Sequence, residues 1–75
     1  MTTQAESVGQ RIHRLRREKG LTLAQLAEAA GIHPSTLSDI EGGHAESPRY
    51  KTLQGISKGL ETPIAEIVEG TRDAG

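Results

Sequence analysis

The sequence predicts an all-α fold of five short helices, and three observations carry that expectation. Apolar residues recur at helical spacing in five separate segments. Glycines stop those segments, and Thr, Ser or Pro opens several of them. No run alternates apolar and polar residues in the β-branched context that a strand needs. The 75 residues suffice for one domain, near the lower size at which a core holds without staples. Tyr50 is the only aromatic, so that core is aliphatic.

The first helix is expected over about residues 7–19. Val8, Ile12 and Leu15 share a face at i, i+4 and i+7, and Gly20 supplies the left-handed stop. Its other faces carry Arg11, Arg14, Arg16, Arg17 and Lys19. The second is the best marked. Thr22 and Gln25 form a capping box ahead of Leu23, Leu26 and Ala27, and Gly31 ends the helix after about eight residues. The third starts at His33 or Pro34, where proline loses nothing by lacking an N–H. Leu37 and Ile40 point inward, and Gly42 and Gly43 end it.

His44 to Ser47 read as a loop, with Ser47 capping a fourth helix that Pro48 opens. Tyr50, Leu53, Ile56 and Leu60 form its stripe, which places Tyr50 in the core with its hydroxyl at the rim. Gly55 and Gly59 cost this helix about 1 kcal/mol each against Ala, which close approach by a neighbouring helix would offset. Thr62 is expected to cap a fifth helix opened by Pro63, with Ile64, Ile67 and Val68 inward and Gly70 as its stop. The expected domain is therefore 7–70, flanked by flexible tails at 1–6 and 71–75.

Composition excludes several functions. There is no cysteine, hence no disulfide framework and no thiolate metal site. His13, His33 and His44 lack metal-ligand spacing, and no nucleophile stands beside a plausible base, so no metal, cofactor or catalysis is expected. No apolar run approaches the roughly 20 residues that span a bilayer, and MTTQAESVGQ holds no signal-type apolar stretch. The expected location is the cytoplasm. The formal net charge is −1, but its distribution is uneven. Arg11, Arg14, Arg16, Arg17, Lys19, Arg49, Lys51 and Lys58 outnumber Glu18, Glu28, Asp39, Glu41 and Glu46 in the middle of the chain. The ends are acidic. A basic middle suits a polyanion, while a single aromatic leaves no platform for stacking single-stranded bases.

Helices two and three carry the functional signal. Two short helices that cross steeply through a tight corner need a small residue at the crossing, a residue with positive φ at the corner, and aliphatics to plug the gap. Ala27, Gly31, Ile32, Leu37 and Ile40 meet those needs at helix-turn-helix spacing. The free N–H groups that open helix two, with Thr22, form an anion site suited to a phosphate.

From Val8 to Glu69 the chain resembles the Xre/Cro/CI-type helix-turn-helix domain of phage repressors and small bacterial regulators. Three ordered blocks carry the resemblance: VGQRIHRLRREKGLTLAQLAEAAGI, STLSDIEGG and SPRYKTLQGISKGL. It implies a five-helix, lambda-repressor-like bundle whose third helix, about 33–41, enters the DNA major groove. His33, Ser35, Thr36 and Asp39 would then occupy the base-reading face, with Ser38 beside them near a phosphate. Arg49, in Ser47-Pro48-Arg49-Tyr50, matches an arginine that some phage repressors turn toward the minor groove. Arg16 and Glu41 match a partly buried ion pair that ties the bundle together.

Two positions depart from the family pattern. His33 replaces the usual Ser or Thr cap, which predicts a less well held helix start, and Glu61 stands where a glycine usually ends helix four. Asp39 raises a question of its own, since it offers an acid to a polyanion. It can accept from cytosine N4, repel wrong sequences, pair with His33 or Arg49, or mark a surface turned to protein. The reading is a double-stranded-DNA-binding transcriptional regulator that binds a two-fold operator as a homodimer. The alternative is an interaction module of the same fold that holds a protein partner.

Overall fold

The computed structural model describes residues 7–43 and 48–69, with the side chain of Glu69 outside that description. Five helices follow one another: α1 (Val8–Glu18), α2 (Leu23–Ala30), α3 (Pro34–Gly42), α4 (Tyr50–Leu60) and α5 (Ile64–Glu69). No strand occurs among the described residues. The expected tails, the 44–47 loop with its Ser47 cap and the Gly70 stop lie outside them.

Local chemistry sets the helix starts. Reciprocal capping boxes open α1 and α2. Gln10 N donates to Ser7 Oγ at 3.1 Å while Ser7 N donates to Gln10 Oε1 at 2.8 Å. Thr22 and Gln25 do the same at 3.0 and 2.8 Å. Ser-x-x-Gln at residues 7–10 is the same signal as Thr-x-x-Gln at 22–25, and it opens α1 in addition to the box expected at α2. The α3 start is better held than expected, because His33 Nδ1 accepts from Ser35 N at 3.1 Å and so caps the helix. Arg49, not Pro48, is the residue before the first turn of α4, and its side chain makes no cap.

Three helix ends close alike. Leu21 N donates to Arg16 O, Ile32 N to Ala27 O and Thr62 N to Ser57 O, at 3.0–3.1 Å. Each such bond needs a left-handed residue just before the donor. Glycine supplies it at Gly20 and Gly31, whereas Glu61 takes φ +54° with a full side chain. Behind that corner Thr62 is buried, and its hydroxyl donates back to Leu60 O at 3.0 Å rather than capping α5.

The core is aliphatic: Ile12, Leu26, Ala27, Leu37, Ile40, Ile56, Leu60 and Ile67 are buried. Full burial stabilises each large side chain among them by about 1.5–3 kcal/mol. In packing, α3 rests on α1 and α2, α4 covers α2, and α5 closes against α1 and α4. Two glycines permit this. A Cβ at Gly55 would collide with Ala30 O of α2, and one at Gly9 with Ile40 O of α3.

Tyr50 departs from expectation: it is 66% exposed. Ala30, the last residue of α2, lies against Gly55, and Leu26 lies against Gly59, so α2 runs antiparallel to α4 and ends there. No turn of α2 remains to cover Tyr50 more than a helical turn earlier. The stripe of α4 that does pack inward is Leu53, Ile56 and Leu60.

Candidate nucleic-acid interface

The corner between α2 and α3 sets the interface. Gly31 turns the chain at φ +74°, Ala27 is fully buried at the crossing, and Leu37 and Ile40 plug the gap below α3. With those two residues held inward, the rotation of α3 about its axis is determined. His33, Ser35, Thr36, Ser38 and Asp39 all face solvent. Ser35 and Thr36 lie four and three residues before Asp39, so the three side chains share one outward face.

The hydrogen bonds leave those side chains in different states. The His33 ring takes both Ser35 N and Ser35 Oγ at Nδ1, at 3.1 and 2.8 Å. An accepting Nδ1 places the ring proton on Nε2, which points a donor outward. Thr22 Oγ1 accepts from Gln25 N within its capping box, leaving the hydroxyl proton free to be donated to an anion at the α2 N-terminus. Asp39 makes no ion pair among the described residues, so pairing with His33 or Arg49 is not its role in this structure. Arg49 is exposed at the start of α4, and its guanidinium is not spent on a cap.

One guanidinium ties both helices of the motif to α1. Arg16 Nε donates to Glu41 Oε2 at 2.8 Å and Nη2 to Glu41 Oε1 at 3.1 Å, a two-pronged pair near the end of α3. Its Nη1 donates to Leu21 O at 2.9 Å, just before the α2 cap. The side chains of Arg16 and Glu41 are only 13% and 7% exposed. His13 joins them, its Nδ1 2.9 Å from Glu41 Oε1 and 3.2 Å from Arg16 Nη2. His13 is not among the expected members of this pair, although its place three residues before Arg16, on the same side of α1, is a signal the sequence carries. A shallow groove of about 460 Å³ runs from this cluster to Ser38.

The helix-turn-helix family profile matches residues 12–67. The chain belongs to that family. Its helix-turn-helix resembles SinR of Bacillus subtilis strain 168, a transcriptional regulator, at 37% identity over 62 residues, 83% of this chain and 56% of SinR. The immunity repressor of Bacillus phage phi105 is 40% identical over 62 residues, 83% of this chain and 42% of the repressor. The chain thus spans about half the length of the curated relatives it matches. The crystal structure of SinR in complex with DNA superposes with a TM-score of 0.76 at 38% identity, covering 80% of this chain and 95% of that one. The P22 c2 repressor with a synthetic operator superposes with a TM-score of 0.79 at 25% identity, covering 87% and 97%. These relatives are regulators, not enzymes. Among the described residues no helix is long and apolar enough to cross a membrane.

Within the helix-turn-helix, α2 offers Thr22 and its free amides at one end, and α3 offers its polar face beside them. Arg16 holds the two in register through Leu21 O and Glu41. No described cation lies on α3 itself, whose two charged residues are Asp39, facing out, and Glu41, turned in.

Proposed function

We propose that the chain is a sequence-specific regulator of transcription that binds double-stranded DNA, with α3 in the major groove and Thr22 and the α2 N-terminus on a phosphate. One observation carries this reading: an exposed polar α3 face, backed by buried Leu37 and Ile40 and clamped by Arg16–Glu41, in a chain 38% identical to a SinR domain whose crystal structure contains DNA. His33, Ser35, Thr36 and Asp39 read base edges, Ser38 reaches a phosphate, and Arg49 enters the minor groove. A module of this size buries too little surface to be specific alone, so the reading includes a homodimer on a two-fold operator. The second reading, a protein-holding module, draws on the exposed Asp39 and on a SinR–SinI protein complex that superposes with a TM-score of 0.80.

Selection from a random duplex pool at moderate salt tests the proposal. An enriched inverted repeat is expected, with half-sites about 34–36 Å apart. The binding constant should fall with salt at a log–log slope of about −0.9 per phosphate neutralised. A folded, helical protein that enriches no sequence would sink the regulator reading. Binding to a protein that barely responds to salt would favour the second.

A further inference from the structure

We propose that Asp39 selects one base of each half-site, and that the base is a cytosine taken through its N4 amino group; this rests on the DNA-binding reading above. Asp39 is the sole outward-facing charge of α3, because Glu41 is turned into the bundle on Arg16. No described cation neutralises it. Its carboxylate therefore reaches the groove as a hydrogen-bond acceptor that no described cation holds. Its neighbours cannot replace it: the Ser35 hydroxyl, shared with the His33 ring, and the Thr36 hydroxyl read several base edges without distinction.

The major groove then decides the partner. Guanine presents N7 and O6, and thymine O4, all acceptors that repel a carboxylate. Adenine presents an N6 donor beside an N7 acceptor, so attraction and repulsion meet on one edge. Cytosine presents the N4 donor with no acceptor of its own in the groove. Cytosine is the base at which the charge gains a hydrogen bond without facing an acceptor on that base. The same charge repels phosphates when the helix rests on unrelated DNA, so it trades non-specific affinity for discrimination.

The experiment is the duplex selection repeated with wild type, Asp39→Asn and Asp39→Ala, each shown by thermal melting to be folded. Wild type should enrich a motif with cytosine at one fixed position per half-site. Asp39→Asn should move that position to adenine, whose N6 and N7 suit an amide, and Asp39→Ala should leave it degenerate with the rest of the motif intact. In direct competition, wild type should favour the cytosine site over its guanine counterpart by roughly 5- to 150-fold, a ratio that collapses toward one in Asp39→Ala. Affinity for random duplex should rise in both variants. An identical motif from all three proteins would overturn the inference while leaving the DNA-binding reading intact. An equal loss of affinity for every sequence, with a lowered melting temperature, would also overturn it by making Asp39 structural. No motif from folded wild type would overturn both readings.

Discussion

Arg16 Nε and Nη2 meet both oxygens of Glu41, while Nη1 reaches Leu21 O, so one side chain joins the ends of three segments. The arrangement is more a positioning device than a source of stability, because two charges gain little from burial over an apolar pair of the same volume. Removing one partner is different. In Glu41→Ala the guanidinium stays buried with the Leu21 carbonyl and the His13 ring beside it and no counter-charge. Breaking such a pair costs about 3–5 kcal/mol, a large part of the stability available to a domain of this size. Urea unfolding should show that loss, whereas Glu41→Gln should retain part of it. The cap of α3 is the second residue-scale device. His33→Ala should lower stability by about 1 kcal/mol and His33→Ser should not, because serine supplies the same acceptor for the first-turn amide.

At the scale of the element, two backbone positions govern how the helices meet, and they respond in opposite directions. Gly55 lies against Ala30 O with no room for a Cβ, so Gly55→Ala should push α4 off α2 and lower stability by about 1–3 kcal/mol. Glu61 holds a left-handed φ of +54° that three other helix ends, at Gly20, Gly31 and Gly43, assign to glycine. A non-glycine residue pays about 1–2 kcal/mol for that conformation. Glu61→Gly should therefore raise the thermal midpoint, though by less than the full strain, since glycine loses more chain entropy on folding. A lowered midpoint in Glu61→Gly would mean that the glutamate side chain contributes something the backbone account omits.

On the proposed function, Thr22 with the α2 amides, the α3 face and Arg49 form one polyanion-binding side of the whole molecule. All are exposed, while the acids of α5 belong to the other end of the chain. For a dimer on a two-fold operator, the spacing of half-sites is a geometric quantity. Inserting about five base pairs, half a helical turn, between the half-sites should rotate one to the far side of the duplex and abolish joint binding. A gel-shift titration reads this directly, as one shifted species giving way to two independent ones. Undiminished joint binding to the lengthened site would sink the rigid two-fold arrangement.

The features legible in the sequence were those set by neighbours along the chain. Thr22 and Gln25 cap α2 because they stand three residues apart, Gly31 turns the corner because its own backbone can, and Pro34 begins α3 because its missing N–H is not needed there. The buried Leu26, Leu37, Ile40, Ile56, Leu60 and Ile67 follow from helical periodicity alone. The rest depended on what lies across the bundle. Whether Tyr50 is covered depends on where α2 stops, and whether Gly9 can carry a Cβ depends on Ile40 O. His13 joins Arg16 and Glu41 because α3 ends beside α1, and Asp39 faces out because packing of Leu37 and Ile40 sets the rotation of its helix. Periodicity assigns a residue to a face, but only packing decides what that face meets, because the meeting is between segments far apart in the chain.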